Sequence, residues 1–275
     1  MPELPEVESV RRLADRLLVG NTISTVEAVP DDIVYETPAA MVAQALLGAQ
    51  VTGTGRKGKV FWWLLGDRGT LFGHLGMSGW IRETGSDSKR LVSHGDKPLD
   101  DANGRPRFLK LSVGVSDDRK LAFTDGRRLA RIWLGSNPSD DRRVKSLGPD
   151  AWTDDLDILN LMASKAPVKS LLLDQSRFAG VGNWVADEVL LMAGISPHRT
   201  GASLSAKECE EVGRAIKTVL DVAVAADADP AHYPEDWLFH VRWGGGKGPV
   251  TLLGQEVRRD TIGGRTAAWL PARQR

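Results

Sequence analysis

The chain has 275 residues and one cysteine, and its 36 Lys plus Arg balance 36 Asp plus Glu. This length is typical of two domains, and a single cysteine excludes an internal disulfide framework and a cysteine-rich zinc site. Zero net charge excludes the bulk basic charge of many nucleic-acid-binding proteins, so a basic surface must come from local clusters, namely Arg56-Lys57-Lys59, Arg127-Arg128-Arg131 and Arg258-Arg259-Arg265.

The first half of the chain has one helical pattern followed by short β-rich runs. Apolar residues recur at helical spacing from Leu4 to Leu17, which predicts a helix over about residues 4–19. The β-rich runs, broken by Gly, Asp and Asn, are 22–29, 51–54, 60–65, 70–75, 108–115, 120–123 and 130–134. They predict a β-sandwich or barrel with a polar insertion over residues 84–106.

Helical patterns dominate the second half. They cover 156–164, 168–173, 183–193 and 207–226, and Ser205 with Glu208 predicts a capping box before the last of them. We therefore expect an α+β protein with an N-terminal domain over 1–135, a linker over 136–155, a helical domain over 156–235 and a Gly-rich hairpin unit over 236–275. The glycine run at 244–247 lacks the spacing of a phosphate-binding P-loop.

The first residues combine a proline with two acids. Pro2 follows the initiator Met, and removal of that Met leaves a secondary amine, which is partly unprotonated at neutral pH and can form an iminium on a carbon such as sugar C1′. Glu3 and Glu6 lie near this amine, where a carboxyl group can transfer protons. The alternative is an ordinary helix start with acids in its first turn.

Other segments have the residue types of a nucleic-acid site. Gly55 to Lys59 predicts a turn that presents cations to phosphate, and glycines surround His74 and Met77. Two arginines, which can bind phosphate, directly precede Leu129, an apolar side chain that can insert as a wedge between stacked bases. Gly180-Val-Gly182-Asn183 predicts a helix start with Asn183 as N-cap and exposed amides for a phosphate. Solvated turns, a core histidine and a plain helix start are the alternatives.

In order and spacing, these segments resemble the formamidopyrimidine-DNA glycosylase and endonuclease VIII family over residues 1 to about 270. The matching motifs are Pro-Glu-Leu-Pro-Glu-Val-Glu, His-Leu-Gly-Met-Ser-Gly, Thr-Asp-x-Arg-Arg and Gly-Val-Gly-Asn. The resemblance implies an N-terminal β-sandwich, a helix–two-turn–helix domain and a terminal finger. It also implies a bifunctional glycosylase and AP lyase of base excision repair that removes oxidised bases and completes β,δ-elimination.

The resemblance also implies roles for single residues. Pro2 resembles the Schiff-base nucleophile, Glu3 the acid that assists base loss, and Lys59 the lysine that assists elimination. The remaining matches are phosphate contacts and void-filling residues: His74, Arg127, Arg128, Lys169 and Asn183 for DNA binding, and Met77, Arg127 and Leu129 for filling the space left by the flipped nucleotide. The formamidopyrimidine branch usually has Phe where this chain has Leu129, which leaves the opposite-base preference open.

The C-terminus departs from the zinc-finger members of the family. No cysteine follows Cys209, so thiolates cannot bind zinc there, and we expect neither a metal nor a cofactor. Gly263-Gly-Arg265 resembles the finger tip of the zincless, plant and fungal type, in which Arg265 matches the arginine that completes β,δ-elimination.

Two other functions remain as alternatives: a tautomerase that uses an N-terminal proline, and a damage-binding protein without catalysis. Tautomerases of that kind are much shorter, and intact Pro2, Glu3, Lys59 and Arg265 argue against loss of catalysis. We expect a monomer that binds damaged double-stranded DNA and no membrane. No signal peptide or run of 18 apolar residues occurs, so we expect an intracellular protein, in the nucleoid or the nucleus according to its organism.

Overall fold

A computed structural model describes residues 2–84, 99–116, 119–243 and 249–275. The chain forms two compact units, one comprising Pro2 and Glu6–Ser146, the other Glu3–Pro5 and Leu147–Arg275. The change at residues 146–147 falls within the segment predicted as a linker. Most of the predicted insertion and the glycine run at 244–247 lie outside the described residues.

The first unit is a β-sandwich with a leading helix. Its elements are α1 (Leu4–Leu18), β1 (Thr25–Ala28), α2 (Ala39–Leu46), β2 (Gly53–Lys57), β3 (Val60–Leu64), β4 (Thr70–His74), β5 (Trp80–Glu83), β6 (Leu109–Ser116), β7 (Arg119–Thr124), β8 (Arg131–Gly135) and α3 (Arg142–Ser146). Two antiparallel sheets have the strand orders β1-β6-β7-β5 and β2-β3-β4-β8.

One hydrophobic core joins the two sheets to the helices. Phe61 on β3 and Phe123 on β7 approach to 6.2 Å between ring centroids, and Val10 and Leu17 of α1 belong to the same cluster. The helical spacing of these α1 residues is therefore explained by burial of one face. The sequence analysis did not predict α2, α3 or β5, which have only 8, 5 and 4 residues.

The second unit is helical and ends in a small sheet. Its elements are α4 (Ile158–Met162), α5 (Val168–Leu173), α6 (Asn183–Met192), α7 (Ala206–Ala225), β9 (Val250–Leu252), β10 (Gln255–Ile262) and β11 (Arg265–Trp269). The predicted capping box of α7 is present, because Ser205 and Glu208 each accept the other's backbone N–H. The fold class predicted from sequence is confirmed.

The terminal sheet has its own small hydrophobic cluster. Leu238, Leu252, Val257, Ala268 and Leu270 form it, with the strand order β11-β10-β9. These apolar contacts hold the sheet in a segment that has no cysteine. None of the helices in the described part of the chain is long and apolar enough to cross a membrane.

Candidate active site

The N-terminal residues are buried where α1 begins. Pro2 is buried, and the amide of Leu4 donates to the carbonyl of Gly180 at 3.2 Å. Gly180 has φ +104°, and a Cβ at this position would lie 2.5 Å from Leu4 Cδ1. The first glycine of the Gly-Val-Gly turn is therefore needed for its backbone conformation and for the close approach of Leu4.

Glu3 occupies the start of α6. It is 1% exposed, and its Oε1 and Oε2 accept the backbone amides of Trp184 at 2.9 Å and Val185 at 3.1 Å. These N–H groups belong to the first helical turn, which has no carbonyl acceptors within the helix and where the helix dipole favours a carboxylate. A Cβ on Gly182 would lie 2.1 Å from Glu3 Cδ, so this glycine makes room for the carboxylate.

This arrangement corrects two expectations about the helix start. The N-cap of α6 is Gly182, and Asn183 is the first helical residue. The amides expected to bind a phosphate instead donate to Glu3, a residue 181 positions away from Trp184. Asn183 itself is half-buried.

Lys169 lies inside the second unit and not on the surface expected for a phosphate contact. Its side chain is fully buried, and its ammonium donates to the Asn183 carbonyl at 2.6 Å and to the Asp187 carboxylate. Asp187 also accepts from Arg242 Nη2 at 2.6 Å. Burial lowers the pKa of Lys169, although the Asp187 carboxylate acts in the opposite direction. The lysine thus supports the Asn183 turn from within.

Lys59 lies in the tight turn between β2 and β3, after Gly58 with φ +55°, and is half-buried. The predicted turn was too long, because residues 55–57 belong to β2. Arg56 does not contribute to a basic surface, since its side chain is 4% exposed and pairs with Glu8 at 3.0 Å. Burial would raise the pKa of Glu8, but hydrogen bonds and charges from Arg11 and Arg56 hold it below its usual value.

His74 ends β4 as a neutral imidazole. Its Nδ1 accepts the Gly76 amide at 3.0 Å, so the ring proton is on Nε2. Burial, with the positive charges of Lys59, Arg143 and Arg131, lowers the pKa of His74 to about 4. At neutral pH this side chain can donate one hydrogen bond to a phosphate but supplies no charge.

Asp125 organises the loop that carries the two arginines and Leu129. Its Oδ2 accepts the amides of Leu129 and Ala130, both at 2.7 Å, and its Oδ1 accepts the Arg127 amide at 3.1 Å and the Ser78 hydroxyl at 2.6 Å. The carboxylate is 1% exposed. Sequence analysis missed this role, although an Asp directly before a turn is a known signal for such amide contacts.

The side chains of this loop point outward. Arg127 is exposed and Leu129 is 38% exposed, whereas Met77 in the neighbouring turn is half-buried. Arg128 has φ +56°, and its guanidinium binds Asp31 through Nε and Nη2 at 3.0 Å each. Asp31 therefore fixes the orientation of Arg128.

Arg265 follows the two-residue turn of the β10–β11 hairpin. Gly263 and Gly264 have φ +56° and +74°, which is the conformation of a type I′ turn, and Ile262 pairs with Arg265. Arg265 is exposed. A Cβ on Gly263 would lie 2.4 Å from the Ser170 hydroxyl oxygen, so the hairpin tip contacts α5.

The comparisons with known proteins agree with these motifs. Residues 1–132 match the formamidopyrimidine-DNA glycosylase N-terminal domain, and residues 147–233 match its H2TH domain. A formamidopyrimidine-DNA glycosylase of Arabidopsis thaliana is 34% identical over 281 residues, which cover 100% of this chain and 71% of the relative. This chain belongs to the formamidopyrimidine-DNA glycosylase family. The plant relative is consistent with the zincless subgroup.

Other members of the family are similarly related. The enzyme of Halorhodospira halophila is 36% identical over 231 residues, which cover 82% of this chain and 80% of the relative. A structure of the Lactococcus lactis glycosylase, non-covalently bound to AP-site DNA, aligns over 100% of both chains with a TM-score of 0.78 and 26% identity. A structure of MutM with DNA containing carbocyclic 8-oxo-G aligns over 100% of both chains with a TM-score of 0.79 and 26% identity.

Proposed function

We propose that the protein is a bifunctional DNA glycosylase and AP lyase of base excision repair, with Pro2 as nucleophile. The observation that carries this proposal is the placement of Glu3: the residue next to Pro2 is a buried carboxylate that two helix amides fix in place. A carboxylate fixed in this way is suited to proton transfer beside a reacting amine. An ordinary helix start does not require this burial.

The chemistry follows from a secondary amine at residue 2. The Pro2 nitrogen attacks C1′, the glycosidic bond breaks, and the base leaves with a proton. Opening of the sugar ring then yields an iminium between Pro2 and C1′. Loss of a C2′ proton expels the 3′ phosphate, and a second elimination expels the 5′ phosphate. We assign proton transfer to Glu3 and support of elimination to Lys59 and Arg265.

The proposed substrate is damaged double-stranded DNA with formamidopyrimidines or oxidised guanine products. Support comes from solved relatives that are bound to DNA containing Fapy-dG or carbocyclic 8-oxo-G. We further propose that the enzyme acts as a monomer and works in the cell compartment that holds DNA. The rival tautomerase is disfavoured by family membership, since the relatives match both units of the chain.

Borohydride trapping on abasic-site DNA tests the nucleophile. We expect wild-type protein to form a covalent adduct, Pro2→Gly to form much less, and protein that retains its initiator Met to form none, because that protein has no amine at residue 2. Asp67→Asn in an exposed turn serves as the control for handling and purity. Undiminished trapping with Met retained would contradict the assignment, and absence of trapping in wild type would favour a binding protein without catalysis.

The product ratio tests Arg265. Arg265→Ala should fold normally, because the side chain is exposed, but should bind lesion DNA more weakly and leave more β-elimination product relative to the δ product. Separation of the two 3′ ends on a gel measures this ratio. An unchanged ratio together with unchanged affinity would remove Arg265 from the site.

A further inference from the structure

Phe108 has an unusual combination of conformation and exposure. It lies directly before β6 with φ +59°, and its side chain is 58% exposed. A bulky residue in the left-handed region is a conformational outlier, and such strained residues cluster at functional sites. Because more than half of the side chain is exposed, the ring buries little apolar area and contributes little to stability. The stability of the sandwich therefore does not account for a phenylalanine here.

Phe108 also contacts the loop organised by Asp125. The Asp125 amide donates to the Phe108 carbonyl at 3.0 Å. Ring atoms Cδ2, Cγ and Cε2 of Phe108 lie 3.2–3.4 Å from the place where a Cβ on Gly126 would be. The ring therefore rests against Gly126, the residue that immediately precedes Arg127 in the loop that carries Leu129.

The surroundings of the ring suit a nucleic acid. The Arg107 guanidinium lies 5.4 Å from the ring centroid, and Arg127 is an exposed cation on the adjacent loop. Cations next to an exposed aromatic ring form the combination that binds phosphates while the ring stacks on a base. Leu129 has no aromatic face of its own, so the loop lacks a stacking surface unless Phe108 provides it.

We propose that Phe108 stacks on a DNA base beside the lesion and, with Leu129, forms the wedge of this enzyme. The proposal rests on the proposed function, since it takes the Arg127 to Leu129 loop as the part that enters the duplex. The exposed part of the ring contacts the base, and Gly126 sets the position of the ring.

The test uses the full-length enzyme and a duplex with a tetrahydrofuran abasic analogue and 2-aminopurine in the opposite strand. Phe108→Gly removes the ring and relieves the positive φ, so we expect an unchanged or higher Tm. Affinity for the duplex should fall about 5- to 150-fold, the range for loss of one aromatic–base stack. The change in 2-aminopurine fluorescence seen on binding of wild type should be reduced.

Matched variants separate stacking from structural support. Phe108→Trp should retain affinity and the fluorescence change, whereas Phe108→Leu, which keeps an apolar side chain, should lose both. Met41→Ala removes a 55% exposed apolar side chain of α2 and should leave both unchanged. Unchanged affinity in Phe108→Gly would overturn the proposal. A fall in Tm that Phe108→Trp does not restore would also overturn it, because the ring would then support the loop and not contact DNA.

Borohydride trapping distinguishes this proposal from the proposed chemistry. At saturating concentration Phe108→Gly should still form the covalent adduct, since Pro2 is untouched. If wild type also fails to form it, the proposed nucleophile is wrong, whereas the affinity and fluorescence of Phe108→Gly still decide the role of the ring. Leu129→Ala, measured in parallel, shows whether the loop enters DNA at all.

Discussion

Substitution of Gly263 by alanine, compared with the same change at Gly264, tests how the hairpin tip is positioned. Both glycines have positive φ, so either alanine should cost about 1 kcal/mol of conformational energy. The surroundings differ, because a Cβ on Gly263 would lie 2.4 Å from Ser170 Oγ, whereas a Cβ on Gly264 would have nothing within 4 Å. Gly264→Ala is therefore a matched control for strain without collision.

The size of the collision sets the expected effect. Ordinary contact begins near 3.4 Å and the separation would be 2.4 Å, so the tip must retreat by about 1 Å unless the Ser170 hydroxyl rotates away. A misplacement of about 1 Å can cost on the order of 100-fold in rate. Since Arg265 directly follows the turn, we expect Gly263→Ala to slow δ-elimination by about 10- to 100-fold. Gly264→Ala should leave the product ratio near that of wild type.

Removal of the Ser170 hydroxyl should reverse the effect of Gly263→Ala on δ-elimination. Ser170→Ala leaves only Ser170 Cβ, which is 3.4 Å from the added methyl, so Ser170→Ala/Gly263→Ala should behave like Gly264→Ala. The assay is single-turnover cleavage of abasic-site DNA, with the β and δ products separated on a gel and Tm measured for each variant. Equal product ratios for Gly263→Ala and Gly264→Ala, or no rescue in the double variant, would refute the reasoning.

Other predictions concern Arg128, Lys169, Glu188 and bound zinc. Arg128→Gln should reduce the log–log salt dependence of DNA binding by about 0.9, the value for one lost phosphate contact. Lys169→Met should leave this slope unchanged but should lower the free energy of unfolding by about 3 kcal/mol, because it leaves Asp187 short of one buried partner. Glu188→Gln should flatten the pH dependence of stability between pH 4.5 and about 8. Metal analysis should find no zinc, and chelators should leave activity unchanged.

Burial raises the pKa of Glu188 to about 8, against the backbone hydrogen bonds from Phe239 and Leu238, so the folded state keeps a proton that the unfolded state has lost. Stability should then fall as pH rises through this window, by up to about 1.4 kcal/mol per pH unit. Glu210→Gln at an exposed position of α7 is the control. A wild-type profile that is flat over this range would contradict the reasoning about Glu188.

For the salt dependence, the exposed Arg214 of α7 provides the control variant, Arg214→Gln. A slope that changes equally in both arginine variants would show that Arg128 acts only through general charge. A smaller salt-dependence slope for Lys169→Met would support the phosphate contact that the sequence predicts for that lysine. Stoichiometric zinc that is needed for activity would contradict the interpretation of residues 236–275.

The elements that could be predicted from sequence have local causes. The helix α7 has a capping box within four residues and a long amphipathic repeat, and α5 was predicted with the bounds Val168 to Leu173 that the structure shows. The helix α2 was missed because eight residues offer barely two turns of periodicity. Its burial depends on the sheets around it, which the local pattern does not reveal.

The identity of residues in the candidate site could be predicted from the sequence, but their contacts could not. Motifs identified Glu3 and the Gly-Val-Gly turn, but phosphate binding was the expected use of that turn. The amides of Trp184 and Val185, which follow the turn, instead bind the Glu3 carboxylate, 181 residues away from Trp184. Burial of Lys169 depends on Asp187 and Arg242, a pair separated by 55 residues in sequence. Such pairings depend on tertiary packing. The spacing of residues within one motif does not reveal them.

The terminal sheet lies in a segment without cysteine and is held by apolar and polar side-chain contacts. A small sheet needs a hydrophobic face or packing against a helix to be stable, so contacts beyond its backbone hydrogen bonds must fix it. Leu238 lies in the apolar cluster of the sheet, and Glu188 of α6 accepts the backbone amides of Leu238 and Phe239. Asp260 of β10 accepts from Trp269 Nε1 at 2.7 Å and contacts His198 Nε2 at 2.8 Å, before α7. The His198 contact connects the sheet to the segment before α7, and the Glu188 contacts connect α6 to the segment that carries Leu238. The position of Arg265 at the tip of the sheet therefore depends on packing within the same unit.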